Sequence, residues 1–330
     1  MFAQERNFTH FLPVISVYIL IPTVYYVFID QFVFHEEYNL IKLTALVTVS
    51  FFAVMTIICH LKAMFTNPGY VDPSKIKQDL THNNSDDINF LFKPFCKHCN
   101  HFRPERSHHC RTCNKCFLKM DHHCPWIGNC VGLYNQKYFI LFLFYATISC
   151  IIITICFAKT IYKYEFKPNP KCKDGTHLYI LLRVFSFLQY FANNQGIILF
   201  IQFFCNFRDM ICATFGGVIA FSLTIGIGFL LCRQFYLIIY NKTNVESMKL
   251  KFSEISPYSY NSKMKNLRTV MGKGSFLNFF LPTLEPNLYI EGYEGYPKPN
   301  FNSLREMIEK EKKIDKNLQD NHDCNKLKSQ

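Results

Sequence analysis

The chain has 330 residues and a formal net charge of +12 at pH 7, and its 35 phenylalanines and 19 tyrosines fall in patches with almost no charge. Such patches fit a soluble core poorly, so the composition disfavours an ordinary globular domain. The positive charge would suit nucleic acid only if it lay on one folded soluble surface.

Four apolar runs have about the length that crosses a bilayer. They are Phe11–Ile29, Leu43–Met64, Tyr138–Phe157 and Ile211–Leu231. The first run could be mistaken for a signal peptide. Its apolar part is too long, and no small-residue cleavage site follows it, so we interpret it as a retained anchor. The pattern predicts an all-α integral membrane protein with four transmembrane helices.

The remaining chain divides at changes in composition. Asn67-Pro68-Gly69 is a turn signal that ends the second helix, and a polar linker follows it. The predicted regions are transmembrane helices 1 and 2 in residues 1–65, a cytosolic linker in 66–92, a cysteine-rich domain in 93–137, helices 3 and 4 with a lumenal insertion in 138–239, and a cytosolic tail in 240–330.

Seven of the fifteen cysteines lie between Cys96 and Gly132, between the second and third predicted helices. Leaving Cys124 aside, the candidate metal ligands are Cys96, Cys99, His109, Cys110, Cys113, Cys116, His123 and Cys130. Six thiolates and two imidazoles make two Cys3His sets, the ligand number of tetrahedral zinc. Disulfides are the alternative, but the C-x-x-C spacing and a cytosolic location favour zinc.

Cys124 is left over from this count and ends the run Asp121-His122-His123-Cys124. In an extended segment His122 and Cys124 share one face, while His123 turns to the other. One histidine can then bind metal while the other takes the thiol proton, and Asp121 can orient that imidazole. The run therefore predicts a Cys-His-Asp triad on a zinc-bound frame.

The stretch from Cys96 to Gly132 resembles the Asp-His-His-Cys cysteine-rich domain of the protein S-acyltransferases, or palmitoyltransferases. The match includes Arg106, Pro125, Trp126 and Asn129. The resemblance implies one zinc ion held by Cys96, Cys99, His109 and Cys116. It implies a second held by Cys110, Cys113, His123 and Cys130.

The resemblance also implies the chemistry. Cys124 would be the acylated nucleophile, with His122 as its base and Asp121 behind it. Palmitoyl-CoA would be the co-substrate, and cysteines of membrane-associated proteins would accept the acyl group. No nucleic-acid partner is expected.

The basic residues are unevenly distributed along the chain. Ten Lys or Arg lie in residues 75–137 and fifteen in 242–328, whereas the first interhelical loop is acidic. The positive-inside rule therefore predicts that the zinc region and the tail face the cytosol. We expect a multi-pass protein of the endomembrane system, with the Golgi or endoplasmic reticulum favoured over the plasma membrane.

Leu178–Phe204 is apolar and aromatic but is interrupted by Arg183, Gln189 and the run 193–195. A fifth span is the obvious alternative, although it would place the two basic regions on opposite sides of the membrane. We favour an interfacial or re-entrant segment on the lumenal side. Four nearby lysines between residues 163 and 173 count against that side.

Two stretches after the fourth helix also resemble the family. Thr243-Asn244-Val245-Glu246 is similar to its Thr-Thr-x-Glu motif, with Asn244 where the second Thr is expected to contact the catalytic Asp. Residues 265–272 are similar to its C-terminal motif, in which Asn266 would tie the tail to the membrane domain and Met271 replaces an aromatic residue. Further on, Ser303 and Glu306 predict a capping box that opens a charged helix.

Two other classes of protein compete with an enzyme. A zinc-dependent binding module on a membrane anchor needs neither His122 nor a spare thiol, so the intact Asp121-to-Cys124 run counts against it. A transporter or channel would place ionisable residues within its spans. Lys62 and Arg233 lie near span ends and are poor candidates for that role.

Overall fold

The computed structural model describes residues 11–34, 40–72, 94–166, 196–249, 256–260, 262–272 and 275–283. Its helices within these ranges are α1 Leu12–Phe28, α2 Leu40–Phe65, α3 Gln136–Phe166, α4 Gly196–Ile239, α5 Asn244–Lys249, α6 Lys263–Met271 and α7 Phe276–Phe280. The described strands are β1 Phe95–Cys96, β2 His101–Phe102, β3 His108–Cys110, β4 Lys115–Phe117, β5 His122–Cys124 and β6 Asn129–Val131.

Three of the described helices contain a segment that is long and apolar enough to cross a membrane. These segments are Leu40–Phe65, Gln136–Ile161 and Ile211–Ile239. Helix α1 is uncharged but has 17 residues, or about 26 Å at 1.5 Å per residue, which is less than the hydrocarbon core of roughly 30 Å. A π-helical segment, Ile29–Phe34, continues it. The four-span count therefore stays a prediction.

Helix α4 begins earlier than predicted. It runs for 44 residues from Gly196, whereas the apolar run predicted a start at Ile211. No proline interrupts residues 197–210, so the backbone continues as one helix of about 66 Å. Residues 196–204 of the predicted interfacial segment thus belong to α4, and residues 178–195 lie outside the described part of the chain.

The chain forms two compact units, and the first comprises Met1–Pro68, Cys110–Cys113 and His123–Arg233. Apolar side chains of its helices form a buried core, which consists of Val24, Phe28, Phe32, Val49, Ile153, Cys156, Phe157, Ala213 and Ala220. A Cβ atom on Gly216 would lie 2.9 Å from Val27 Cγ1. Glycine at this position therefore lets α4 approach α1 closely.

Large aromatic side chains also lie on the outside of this unit. Phe215 is 65% exposed and Phe229 is 68% exposed, and both belong to the apolar segment of α4. An exposed apolar surface of this kind is unfavourable in water and suits the hydrocarbon of a bilayer.

The second unit comprises Gly69–His109, Asn114–His122 and Gln234–Gln330. The chain after α2 turns at Gly69, where φ is 110°, and pairs with the region of β4. The Val71 amide donates to the Cys116 carbonyl over 2.9 Å, and the Leu118 amide donates to the Gly69 carbonyl over 2.7 Å. The predicted end of the second helix at this turn agrees with the structure.

The cysteine-rich region contains three two-stranded ladders, β1–β2, β3–β4 and β5–β6, which an all-α class does not include. Asparagine follows the C-x-x-C turn in two of its segments. Asn100 has φ 55° and Asn114 has φ 52°, and asparagine tolerates this left-handed region better than most residues. In each turn the amide of the second cysteine donates to the sulfur of the first over 3.4 Å.

Candidate active site and metal centres

The first metal cluster lies in the second unit and uses ligands from β1, from the turn after β1, from β3 and from β4. Its members are Cys96, Cys99, His109 and Cys116. Cys99 Sγ lies 3.2 Å from His109 Nδ1 and 3.7 Å from Cys116 Sγ. Cys96 and Cys116 are buried, whereas Cys99 and His109 are half-buried.

The second metal cluster lies in the first unit. Its members are Cys110, Cys113, His123 and Cys130. His123 Nδ1 lies 3.7, 3.4 and 3.6 Å from the sulfur atoms of Cys110, Cys113 and Cys130. The structure thus brings together the same two sets of four residues that the resemblance implies.

The geometry of both clusters fits zinc. Donors at about 2.3 Å for sulfur and 2.1 Å for nitrogen around a tetrahedral centre lie roughly 3.6 to 3.8 Å apart. The measured separations run from 3.2 Å to 4.0 Å, and the four donor atoms of each cluster lie within 4.8 Å of one another. Three thiolates and an imidazole are also donors that zinc prefers, so each cluster can hold one such ion with four protein ligands.

Cys124 belongs to neither cluster. It is 4% exposed and has an extended backbone, with φ −111° and ψ 108°, immediately before the 3-10 turn Pro125–Ile127. The turn ends at Gly128, where φ is 60°, and the Gly128 amide donates to the Pro125 carbonyl. This left-handed residue lets the chain reverse into β6.

Asp121 is a fully buried carboxylate that accepts four hydrogen bonds. His122 Nδ1 donates to Oδ2 over 2.7 Å, and Gln234 Nε2 donates to the same oxygen over 3.0 Å. Asn244 donates twice, from its backbone amide to Oδ1 over 2.7 Å and from Nδ2 to Oδ2 over 2.6 Å. The Asn244 contact that replaces the family's threonine is therefore present.

These bonds determine the protonation of the pair. Burial raises the pKa of the Asp121 carboxyl, but the hydrogen bond and charge of His122 and the bonds from Asn244 and Gln234 outweigh it, and the pKa lies below its ordinary value. An ionised carboxylate only accepts, so His122 Nδ1 carries the hydrogen. In the neutral ring Nε2 then carries no hydrogen and can accept a proton.

Asn244 is held in place by a capping box at the start of α5. Glu246 Oε2 accepts from the Thr243 amide over 2.9 Å, and Thr243 Oγ1 accepts from the Glu246 amide over 3.2 Å. Glu246 also receives Arg106, whose Nε and Nη2 donate over 2.6 and 2.9 Å. A bidentate pair is the strong form of an ion pair. It fixes Glu246, the capping-box residue two positions after Asn244.

Tail residues extend the same network. Arg106 Nη2 donates to the Asn241 carbonyl over 2.9 Å, and its guanidinium carbon lies 4.5 Å from the centre of the Tyr258 ring. Asn266 is buried and donates to the carbonyl of Ile239, the last residue of α4, over 2.8 Å. Asn266 therefore donates to a helix-end carbonyl that has no partner within the helix. This contact is consistent with the expectation that Asn266 anchors the tail.

The turn after Cys124 is joined to the end of α2 by two asparagines. Asn129 Nδ2 donates to the carbonyls of Met64 and Thr66, each over 3.0 Å. Asn135 Nδ2 donates to the Ala63 carbonyl over 3.0 Å. The last four carbonyls of a helix lack intrahelical partners, so these amides cap α2 while they hold the turn.

Sequence analysis missed several of these residues. Gln234 carries no motif signal, because a single glutamine near a span end is common. The Thr243–Glu246 capping box has the spacing of a known signal and could have been found. The Arg106–Glu246 pair joins residues 140 positions apart, which no local pattern reveals.

Comparison with known proteins agrees with this geometry. Residues 89–251 match the family model described as DHHC palmitoyltransferase. Residues 89–251 of the chain therefore form a DHHC palmitoyltransferase domain, and three described helices are long and apolar enough to cross a membrane.

Three relatives illustrate the similarity. Probable protein S-acyltransferase 14 of Arabidopsis thaliana is 32% identical over 36% of this chain and 43% of its own length. Palmitoyltransferase ZDHHC16A of Danio rerio is 42% identical over 31% of this chain and 23% of its own length. Probable protein S-acyltransferase 15 of Arabidopsis thaliana is 29% identical over 79% of this chain and 91% of its own length. The chain thus spans less than half of the first two relatives.

Proposed function

We propose that this protein is a protein S-acyltransferase that moves a long-chain acyl group, most commonly palmitoyl, from acyl-CoA to cysteines of membrane-associated proteins. One observation carries the proposal. Cys124 lies outside both metal clusters and two residues from a histidine whose Nδ1 is bonded to a buried carboxylate. A binding module without chemistry would need neither feature.

The first step would load the enzyme. His122 Nε2 accepts the proton of Cys124, and the thiolate attacks the thioester carbonyl of acyl-CoA. The carbon–sulfur bond to coenzyme A breaks, and the proton on His122 passes to the departing sulfur. Asp121 stabilises the imidazolium that exists between these two transfers.

The second step would reverse the roles of the sulfur atoms. A substrate cysteine loses its proton to His122 and attacks the acyl-enzyme carbonyl, and Cys124 leaves and is reprotonated. No oxidant or further reactant is needed. When bound, zinc supplies folding energy, and each cluster provides four protein ligands, so no position for a reacting water remains.

We further propose four spans with the zinc region and the tail in the cytosol, on the strength of the basic segments. This would bring the reaction to the side where acyl-CoA is available. Glycosylation-tag mapping should find residue 260 on the cytosolic side. A lumenal residue 260 would overturn the four-span topology.

Purified full-length protein in detergent should take up radiolabelled palmitate from palmitoyl-CoA in a form that hydroxylamine releases, as expected of a thioester. Cys124→Ala should abolish the label. Cys232→Ala is a matched control, because Cys232 is an exposed thiol on α4 outside the site. Label that persists in Cys124→Ala, or its loss in Cys232→Ala, would contradict the assignment of the nucleophile.

A further inference from the structure

A histidine that the proposed mechanism does not use lies inside a membrane span. His60 belongs to α2 and is fully buried. The sequence around it is apolar, and sequence analysis considered only Lys62 and Arg233 as ionisable residues of the spans. Ionisable side chains are rare at such positions and commonly have a functional partner.

Both ring nitrogens of His60 have a partner in the first unit. Nε2 lies 3.0 Å from the backbone carbonyl oxygen of Trp126, and Nδ1 lies 3.0 Å from the Tyr18 hydroxyl. A carbonyl only accepts, so Nε2 carries the hydrogen and donates. In the neutral ring Nδ1 then accepts from Tyr18, and the two bonds fix both the tautomer and the orientation of the ring.

Aromatic contacts further restrict the ring. Tyr18 packs edge-on against it at 5.2 Å between centroids, and Phe142 does so at 5.0 Å. These two residues lie on α1 and α3. Contacts from α1, α2 and α3 therefore fix the His60 ring, and its Nε2–H group is directed at the Trp126 carbonyl.

The Trp126 carbonyl belongs to the turn that directly follows Cys124, the proposed nucleophile. Trp126 is the second residue after Cys124, in the turn Pro125–Ile127, and Ile127 is fully buried. Within the turn the Pro125 carbonyl accepts from the Gly128 amide. The Trp126 carbonyl accepts from His60 of α2, although Trp126 as a residue is 53% exposed. A bond to its oxygen also fixes the backbone two residues from Cys124 Cα.

We propose that His60 and Tyr18 are positioning residues for acyl transfer, which hold the Trp126 carbonyl and thereby the backbone of Cys124. The inference rests on the proposed function. Neither residue touches the reacting atoms. Tyr18 fixes the histidine tautomer, and the histidine donates to the turn, so membrane helices α1 and α2 set the geometry of the nucleophile.

The test uses full-length protein in detergent and single-turnover acylation by palmitoyl-CoA over a range of concentrations, which separates the maximal rate from the half-saturating concentration. His60→Leu removes both bonds, His60→Gln keeps an N–H donor at a similar reach, and Tyr18→Phe removes only the hydroxyl. Zinc content and thermal unfolding are measured beside the rates.

His60→Leu should lower the maximal rate on the order of 10- to 100-fold, because small misplacements of a reacting group have effects of that size. Its half-saturating concentration and its two zinc ions should not change. His60→Gln should recover most of the rate, and Tyr18→Phe should fall between the two.

Tyr25→Phe is the matched control. The Tyr25 hydroxyl lies 2.7 Å from Ser50 Oγ, so it also joins α1 to α2, but it does not contact the turn. Tyr25→Phe should acylate like the wild type. If Tyr25→Phe and Tyr18→Phe lose the same rate, the role is helix packing and the inference is wrong.

Two other results would also overturn the inference: a wild-type maximal rate in His60→Leu, or a loss in His60→Gln as large as in His60→Leu. If His60→Leu does not fold, Tyr18→Phe against Tyr25→Phe decides. A wild-type chain that forms no acyl-enzyme would overturn the proposed function and this inference together, whereas the variant comparisons above test the inference alone.

Discussion

The two halves of the Asp121-to-Cys124 run are held by hydrogen bonds from different parts of the chain. Asp121 and His122 belong to the second unit, where polar side chains from residues 234–246 hold them. Cys124 belongs to the first unit, where the turn that follows it is bonded to α2. The acid–base pair and the nucleophile can therefore be perturbed separately, even though they are neighbours in sequence.

The largest effect is expected at His123, which belongs to the same unit as Cys124. His123→Ala removes a ligand from the second cluster, and a structural zinc site contributes on the order of 10 kcal/mol of folding free energy. The variant should lose one zinc ion per chain and much of its expression. Elemental analysis of the purified protein measures this directly.

Cys124→Ala is the matched control for that variant, because it changes the adjacent residue and touches neither cluster. It should fold, keep two zinc ions and form no acyl-enzyme. A Cys124→Ala protein with a single zinc ion would show that the thiol is a ligand, and the proposed mechanism would fail.

His122→Ala should act on chemistry alone. Without Nε2 to accept the thiol proton, acyl-enzyme formation should slow by about 10²- to 10⁴-fold, the usual size of positioned acid–base catalysis. Both zinc ions should remain. Single-turnover acylation at several pH values measures the loss, and a rate that rises with pH in the variant would show that hydroxide now removes the proton. Unchanged rates would exclude His122 as the base.

Asn244→Ala should have a smaller effect on the same pair. It removes one of the four hydrogen bonds to Asp121 and keeps the backbone one. Losing about 1.5 kcal/mol from a bond to a charged group corresponds to roughly a tenfold slower acylation. Asn244→Thr restores a donor and should recover part of the rate. Equal rates in the alanine variant and the wild type would show that this contact does not orient Asp121.

The last expected effect is on stability and not on rate, at a buried lysine of the Asp121 half. Burial, helped by the charge of Arg106, lowers the pKa of Lys119 to about 7. The folded protein then binds fewer protons than the unfolded chain above pH 7, so this group makes stability rise with pH up to its ordinary pKa near 10, by at most about 1.4 kcal/mol per pH unit.

Lys119→Met should remove that part of the rise between pH 7 and pH 9, as followed by thermal unfolding. Lys263→Met, a change at an exposed lysine of α6, serves as the control and should keep the wild-type slope. The same slope in all three proteins would mean that Lys119 keeps its charge in the folded state.

Local patterns explain which features could be predicted. The two sets of metal ligands follow from C-x-x-C spacing together with the family resemblance, and the spans follow from apolar length. The contacts that hold the two halves of the Asp121-to-Cys124 run could not be predicted. His60 is 66 residues from Trp126, and Glu246 is 140 residues from Arg106. Such pairs depend on tertiary packing. The contacts of Asn244 and Asn266 were expected, because each residue belongs to a stretch that resembles a family motif.

The start of α4 was missed for a related reason. Hydropathy reports which residues avoid water and not where a helix begins, and the segment before Ile211 contains Asn206, Arg208 and Asp209. These polar and charged residues end an apolar run without ending a helix, because each of them is compatible with helical backbone.

The four hydrogen bonds to Asp121 determine how protons move through the reaction. Asp121 Oδ2 accepts hydrogen bonds from His122, Gln234 and the Asn244 side chain, and Oδ1 accepts one from the Asn244 amide. Hydrogen bonds to the charged form of a carboxyl stabilise that form. The low pKa of Asp121 keeps the carboxyl ionised, so in the proposed mechanism the His122 imidazole carries the proton. In the proposed mechanism each transfer would take one proton from an incoming thiol and return one to a departing thiol, so a complete cycle would exchange none with the solvent.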